Sequence, residues 1–476
     1  MGLHAHSLID GIWEAGEERR DVLDPGDRSV VGTVSWTDAA SARRAADAAA
    51  AAFDDWSATT ARSRADLLRD AAALLEERQE AIAATLAREA GKRLPEAQGE
   101  VAFSVEYLRW FAEEARRGHG AIMAGEREGR RHLTVRRPAG VALSLTPWNF
   151  PVSIQARKLA PMLAAGCTVV ARVSEQAPLA ATELVSVLVD AGVPAGVLNL
   201  VHGPARDLSA ELLAHPAVRV VSFTGSTGVG RSIMSQASRG VVRPLLELGG
   251  NAPFIVFEDA DLDAAIEGAL IGRLRNTGQS CVGANRFLVQ RGVADEFTER
   301  LAARFDALSI GHGLGRNGEF PDVGPVINDG RASEIRSIVE DAVGRGGSVV
   351  TSVTDVPRDG SFVRPALITG LNHDARAWRE EVFGPVAGIW TFDDEAESIR
   401  LANDTELGLA AYAWTSDGGR AWRLAERLDA GIIGINDAVP SVAFAPMGGT
   451  KQSGLGREGA AVGLEEFQET HYVAWS

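Results

Sequence analysis

The sequence predicts an α/β protein: a doubly wound parallel-sheet lobe, a second α/β lobe and a small β arm. Three observations lead there. From residue 141 onward, strand-length apolar runs alternate with amphipathic helical stretches, the pattern of parallel strands covered on both faces. The run 218–223 then enters Thr224-Gly225-Ser226-Thr227-Gly228-Val229-Gly230, a glycine-rich turn opening a helix. Finally, 476 residues exceed one ordinary core, so two large lobes are expected.

Taken in order, Leu8-Ile9-Asp10-Gly11-Ile12-Trp13 reads as a short strand and turn, and Pro25-Gly26-Asp27 as a second turn. Thr37-Asp38 caps an Ala-rich helix over 39–56, Thr59-Thr60 a long helix over 62–90, and a further helix covers 94–117. Residues 118–131 are polar, and 132–137 alternate like an edge or hairpin strand, with a solvated loop as the equal alternative. Strands follow at 141–145, 168–171, 197–201 and 218–223, separated by helices at 153–165 and 180–191. The second lobe has strands at 254–257 and 286–290 with helices at 259–274 and 295–308. Later segments fall at 331–345, 347–351, 362–368, 387–391, 395–403 and 419–428.

Composition excludes whole classes. With 45% hydrophobic and 24% charged residues the chain has the make-up of a soluble globular protein. A net charge of −16 argues against nucleic acid or an anionic membrane as partner, since both need a basic footprint. Met1-Gly2-Leu3-His4-Ala5-His6 shows neither a leader nor a myristoylation signal, and no apolar run has bilayer length. Two cysteines cannot frame a disulfide scaffold, and nine histidines show no metal-ligand spacing, so a reduced, cytoplasmic, metal-free protein is expected.

Cys167 and Cys281 differ in setting. Cys167 lies in Leu163-Ala164-Ala165-Gly166-Cys167-Thr168 and reads as a packed core thiol. Cys281 follows Asn276-Thr277-Gly278-Gln279-Ser280, a small and amide-rich segment that a substrate can approach, which makes it the candidate nucleophile. Glu247 is a lone carboxylate in Leu245-Leu246-Glu247-Leu248-Gly249-Gly250, and a lone buried acid is expensive unless it is paired or used. Gly225 and Ser226 open a helix whose free amides suit a phosphate, although a tight turn needing glycine explains the segment equally.

Thr146-Pro147-Trp148-Asn149-Phe150-Pro151, Leu245 to Gly250, Gly278-Gln279-Ser280-Cys281, Glu381-Val382-Phe383-Gly384-Pro385-Val386 and Lys451-Gln452-Ser453-Gly454 together resemble the aldehyde dehydrogenase superfamily, in order and along essentially the whole chain. The resemblance implies Cys281 as nucleophile, Glu247 as general base, and Asn149 with the Cys281 amide as oxyanion donors. It implies a nicotinamide dinucleotide held by Trp148, Gly225, Ser226, Glu381 and Phe383. It also implies a dinucleotide-binding domain over 1–117 and 138–246, a catalytic domain over 247–440, and an arm over 118–137 and 465–476 that joins subunits into a homodimer or homotetramer. Where the family reads Lys-Pro-Ser-Glu, this chain has Arg172-Val173-Ser174-Glu175. Glu175 suits ribose hydroxyls and repels a 2′-phosphate whereas Arg172 attracts one, so NAD is expected, with NADP the alternative.

Within that family the chain resembles the succinate-semialdehyde dehydrogenases, most closely over 248–263 and 402–411. Arg157, Arg275 and Ser441 match the residues that hold a distal carboxylate there, although a salt bridge between lobes explains Arg157 as well. Gly283 stands where many relatives carry a second cysteine, so no redox disulfide is expected. Pro440 and Phe444 depart from the usual substrate loop and leave a longer semialdehyde or an aromatic aldehyde open, while Trp378, Trp390 and Trp414 read as core. A CoA-acylating or non-catalytic relative is disfavoured because Glu247, Asn149 and Cys281 are all present.

Overall fold

Five strand-length runs between residues 141 and 247 pair as parallel strands in the computed structural model, which describes residues 3–16 and 18–476. Across the sheet they run Arg243–Glu247, Val218–Thr224, Val141–Leu145, Thr168–Arg172, Leu198–Val201. The chain therefore winds outward from Val141–Leu145, then returns to that strand's other side. Such a reversal opens a crevice at the carboxyl ends of the two central strands. Short antiparallel strands finish both edges: the hairpin Ser7–Ile9/Ile12–Glu14 on one side and Gly454–Leu455 on the other. Met1 and Gly2, which carry part of the leader and myristoylation readings, lie outside the described residues, as does Glu17.

Helix Pro151–Ala165 begins with proline at its first turn, where no amide partner is lost, and ends at Gly166, whose φ of 93° favours glycine. Every residue of it is buried, because the sheet covers one side and the helices of residues 61–114 the other. Four residues, Leu248 to Asn251, carry the chain from Arg243–Glu247 into the second sheet. That sheet runs Ser348–Val349, Ala366–Thr369, Val386–Phe392, Ala284–Gln290, Ala252–Val256, Ala410–Trp414, Ile432–Ile435, parallel except at Ser348–Val349. Trp378, Trp390 and Trp414 are buried in its cores.

Several elements differ from expectation. The long helix over 62–90 is two, Ala61–Glu77 and Gln79–Ala90, because Glu76-Glu77-Arg78-Gln79-Glu80 offers no apolar side chain to hold one straight face; Arg78 takes up the bend at φ −92°, ψ 5°. Residues 39–56 likewise break at Ala52, which turns Trp56 into the core. Strands Glu18–Leu23 and Val30–Trp36 form a hairpin that sequence reading missed, since the first carries Glu18-Arg19-Arg20-Asp21 exposed and shows no apolar alternation. Helix Ala205–Ala214 was also unassigned. The segments 347–351 and 362–368 contain only the short strands Ser348–Val349 and Ala366–Thr369; Phe362 and Val363 are buried outside any strand.

Residues 132–137 form a strand rather than a loop: Arg131–Pro138 pairs along its full length with Gln468–Trp475, and Ile122–Met123 adds a third strand. Among the described residues no helix is long and apolar enough to cross a membrane.

Candidate active site

Helix Leu262–Leu274 ends seven residues before Cys281, and the intervening turn is strained. Asn276, Thr277 and Gly278 take φ of 54°, 56° and 74°, three left-handed residues in succession. A β-branched threonine there is an outlier, and each such residue stores roughly 1–3 kcal/mol that surrounding contacts must offset. Arg273 supplies them: fully buried, it donates to the carbonyls of Gly278 (2.7 Å), Ala284 (2.8 Å) and Val382 (2.9 Å) and to Asn285 Oδ1. Gln279 Oε1 accepts from Ile327 N at 2.9 Å and Thr277 Oγ1 donates to Gly324 O at 3.2 Å. Cys281 is thereby presented half-buried on a fixed loop.

Glu247 is the last residue of its strand, paired to Thr224 on one side and Gly454 on the other. Its Oε1 lies 4.0 Å from Cys281 Sγ. Its Oε2 accepts from Arg157 Nη2; Arg157 Nε lies 2.7 Å from Glu458 Oε2, and Lys158 Nζ reaches Glu458 Oε1. Two carboxylates and two cations thus share one buried cluster. Burial pushes the Glu247 carboxyl up to about 7, with Arg157 opposing and Glu458 adding to the rise. Glu458, paired with both cations, is held well below the usual carboxylate range. Burial and the negative charges of Glu247 and Glu381 raise the Cys281 thiol, so the resting sulfur is protonated and needs a base.

Asn149 sits beside the nucleophile loop. Its Nδ2 donates to Gln279 O at 3.2 Å, while its backbone carbonyl oxygen accepts from Lys92 Nζ and Asn276 Nδ2, both at 2.9 Å. Glu100 neutralises Lys92 and also accepts from Val152 N (2.9 Å) and Ser153 N (3.1 Å), at the positive end of helix Pro151–Ala165.

Glu381 Oε1 accepts from Gly250 N at 3.2 Å, and burial raises its carboxyl to about 7. Trp148 and Phe383 meet edge to face at 5.6 Å. A Cβ on Gly250 would stand 2.1 Å from the Cys281 carbonyl oxygen, and one on Gly249 2.7 Å from Glu381 Oε2. Only glycine permits these approaches.

At the sheet's reversal a cleft of about 380 Å³ opens, lined by Thr146, Arg172, Gly228 and Val229 among others. Gly225 and Ser226 bring helix Thr227–Gly240 to its rim, and no side chain caps that helix start. Thr224 Oγ1, behind the turn, is buried without a partner. Arg172 donates to Glu175 and to Gly203 O (3.1 Å), and Ser174 Oγ accepts from Gln176 N at 3.3 Å.

The two candidate anchor arginines differ. Arg157 is buried and committed to carboxylates; Arg275, half-buried, has no hydrogen-bond or ion-pair partner among the described residues and lies 5.2 Å over the Phe150 ring. Ser441 is half-buried, and its hydroxyl makes no hydrogen bond among the described residues. Cys167 is buried, its Sγ donating to Phe467 O at 3.3 Å, with its thiol pushed up to about 11 by burial. Asp24, Asp27 and His312 place ligand-type atoms within 4.8 Å of one another, a grouping sequence spacing did not reveal. His312 accounts for it as a structural pair, 2.9 Å from Asp24 Oδ2.

Sequence reading missed Lys158, Glu458, Arg273, Lys92 and Glu100. Lys158 had a signal, the second of two adjacent charges, after Arg157, in a helix otherwise mostly apolar. Glu458 had none, for Arg457-Glu458 reads as solvated surface.

Residues 13–473 match the Aldehyde dehydrogenase family. The chain is 43% identical over 469 residues to the Escherichia coli succinate-semialdehyde dehydrogenase [NADP(+)], covering 98% of this chain and 97% of that one. It is 43% identical to a Pseudomonas putida glutarate-semialdehyde dehydrogenase, covering 99% and 97%. The crystal structure of succinate-semialdehyde dehydrogenase from Burkholderia pseudomallei superposes with a TM-score of 0.97 at 42% identity, covering 99% of this chain and 98% of that one.

Proposed function

The chain belongs to the aldehyde dehydrogenase family, and we propose that it oxidises succinate semialdehyde to succinate through a thioester on Cys281. The observation that carries this is the uncommitted Arg275 guanidinium six residues before that cysteine, beside a buried carboxylate 4.0 Å from the sulfur. In this reading Glu247 takes the thiol proton, the sulfur adds to the aldehyde carbon, and Asn149 Nδ2 with the Cys281 amide donates to the developing alkoxide. Glu247 gives the thiol proton up to solvent, water then adds to the thioester carbon, its proton passes to the ionised Glu247, and the C–S bond breaks with the sulfur leaving as thiolate. Arg275, Arg157 and Ser441 hold the distal carboxylate, each charge-assisted bond contributing roughly 1.5–3 kcal/mol.

The residues fit a nicotinamide dinucleotide: a cleft at the sheet's reversal, an uncapped helix start for the pyrophosphate and an orphaned Thr224 hydroxyl behind it. When bound, that group supplies the hydride acceptor. Gly225 and Ser226 would hold the phosphates, Arg172, Ser174 and Glu175 the adenosine ribose, Glu381 the other ribose, and Trp148 and Phe383 would wall the nicotinamide end. We favour NAD over NADP because Arg172 is already paired with Glu175, whose carboxylate suits two ribose hydroxyls. A homodimer or homotetramer, built on the strand Gln468–Trp475 with Tyr472 and Trp475 exposed, and a cytoplasmic location complete the proposal.

Glutarate semialdehyde, one carbon longer, is the second reading, favoured by the equal identity to its dehydrogenase. The test is NADH formation with succinate semialdehyde, glutarate semialdehyde and butyraldehyde, repeated with Arg275→Ala. The expected result is a strong preference of the wild type for a carboxylated aldehyde and a drop of about 10- to 100-fold in that preference for the variant. Equal use of butyraldehyde by both proteins would remove the carboxylate anchor and with it the substrate reading.

A further inference from the structure

We infer that Arg157 couples recognition of the distal carboxylate to release of Glu247, so that the carboxylated substrate frees the base that later hydrolyses its own thioester. The inference rests on the proposed reading of this site as one for a carboxylated aldehyde.

All three guanidinium nitrogens of Arg157 face protein atoms, although Nε makes no aligned hydrogen bond among the described residues. Nη2 donates to Glu247 Oε2, Nε faces Glu458 Oε2 at 2.7 Å, and Nη1 points at the Met447 thioether. The side chain is 5% exposed, so it has no open edge. A carboxylate entering the site needs two parallel N–H donors, which a guanidinium offers either as Nε with Nη2 or as Nη1 with Nη2. Both forks include Nη2, and Nη2 belongs to Glu247.

Which partner yields is decided by what else holds each one. Glu458 is held at one oxygen and along its backbone: Lys158 Nζ and Ser222 Oγ (3.0 Å) engage its Oε1, and its backbone exchanges two 2.7 Å hydrogen bonds with Met447. The Nε fork is therefore closed. The Nη1–Nη2 fork is guarded only by a thioether, a weak acceptor, and by Glu247. Beyond Arg157, Glu247's carboxylate meets only the Glu458 carboxyl, which raises it, and the Cys281 sulfur at 4.0 Å. A substrate carboxylate thus displaces Met447 and Glu247 together, and the freed carboxylate sits beside the thioester carbon. A neutral aldehyde leaves Glu247 bound to a cation, where it is the weaker base.

The same effect should arise without a covalent link between carboxylate and acyl group. Succinate semialdehyde divides into a two-carbon acyl unit and acetate. NAD-saturated enzyme acetylated at Cys281 by an activated acetyl ester, and freed of excess reagent, loses its acetyl group by hydrolysis, which mass spectrometry follows directly. Acetate should speed that loss several-fold and saturably, while acetamide, of the same shape without the charge, should not. Arg157→Lys keeps the charge but lacks the fork, and acetate should no longer accelerate it; should that variant fail to fold, the wild-type comparison decides alone. Hydrolysis unaffected by acetate, or accelerated equally in Arg157→Lys, overturns the coupling. That outcome with succinate semialdehyde still preferred over butyraldehyde leaves the substrate reading intact, whereas loss of the preference itself defeats the reading.

Discussion

Arg273 donates a 2.7 Å hydrogen bond to the carbonyl of Gly278 and so ties the end of one helix to the turn that presents Cys281. The same guanidinium reaches Val382 O at 2.9 Å, between Glu381 and Phe383. This buried cation, with no carboxylate in contact among the described residues, fixes the Cys281 loop and the loop of Glu381 and Phe383 relative to each other.

Arg273→Met should therefore act on both loops at once. Orphaned buried acceptors cost roughly 1–3 kcal/mol each, so thermal melting should show a clear loss of stability. A displacement of the loop near 1 Å lowers turnover by about 100-fold. Iodoacetamide labelling of Cys281 should slow or become biphasic as well. Arg273→Lys should recover part of the stability because one or two carbonyls keep a donor.

Glu247→Gln should slow both halves of the reaction, because the same carboxylate takes the thiol proton and the water proton. The first equivalent of NADH should form slowly at neutral pH and faster as rising pH ionises the thiol unaided, and steady turnover should fall by roughly 100- to 10,000-fold. In the wild type the base must be ionised, and burial raises its carboxyl to about 7, so hydrolysis-limited turnover should climb with pH through the neutral range and level off above it. A rate flat from pH 5 to pH 9, a span of about four decades in proton concentration, would deny Glu247 the role.

Gly250→Ala places a methyl group 2.1 Å from the Cys281 carbonyl oxygen. Backbone must move to admit it. Overpacking of this kind costs typically 1–3 kcal/mol, and the displaced group is the nucleophile's own peptide. Activity should fall much further than melting temperature, and cofactor binding measured by quenching of tryptophan fluorescence should survive.

How far the site could be read beforehand depended on whether a residue was unusual within its own segment. Cys281 and Glu247 were, since a thiol among amides and an acid in an apolar strand each break a local rule. The parallel, doubly wound sheet followed from apolar runs of the right length alternating with helices, but its strand order did not, because order is set by long-range pairing. Glu458 obeyed every local rule of a surface residue, and only its approach to Lys158, 300 positions away, buries it. Arg273 looked like a basic residue in a helix's last turn, where it would favour the dipole from solvent. The break at Arg78 is the opposite case, a charged run whose lack of apolar side chains was visible and was overridden by the periodicity around it.

Glu175→Gln should change cofactor choice. Arg172 would lose its carboxylate partner and gain a free donor toward a 2′-phosphate. The ratio of KM for NADP to KM for NAD should drop by about tenfold or more, the equivalent of roughly 1.4 kcal/mol. An unchanged ratio would place the discrimination elsewhere.

The strand Gln468–Trp475 closes on Arg131–Pro138, Gly454–Leu455 seals the edge beside Glu247, and Glu458 completes the charge cluster around Arg157. All three lie between residues 454 and 475. Without that segment, the strand ending in Glu247 has an open edge and Arg157 lacks one of its two counterions. A polypeptide lacking it is therefore an aggregation hazard rather than a weak enzyme.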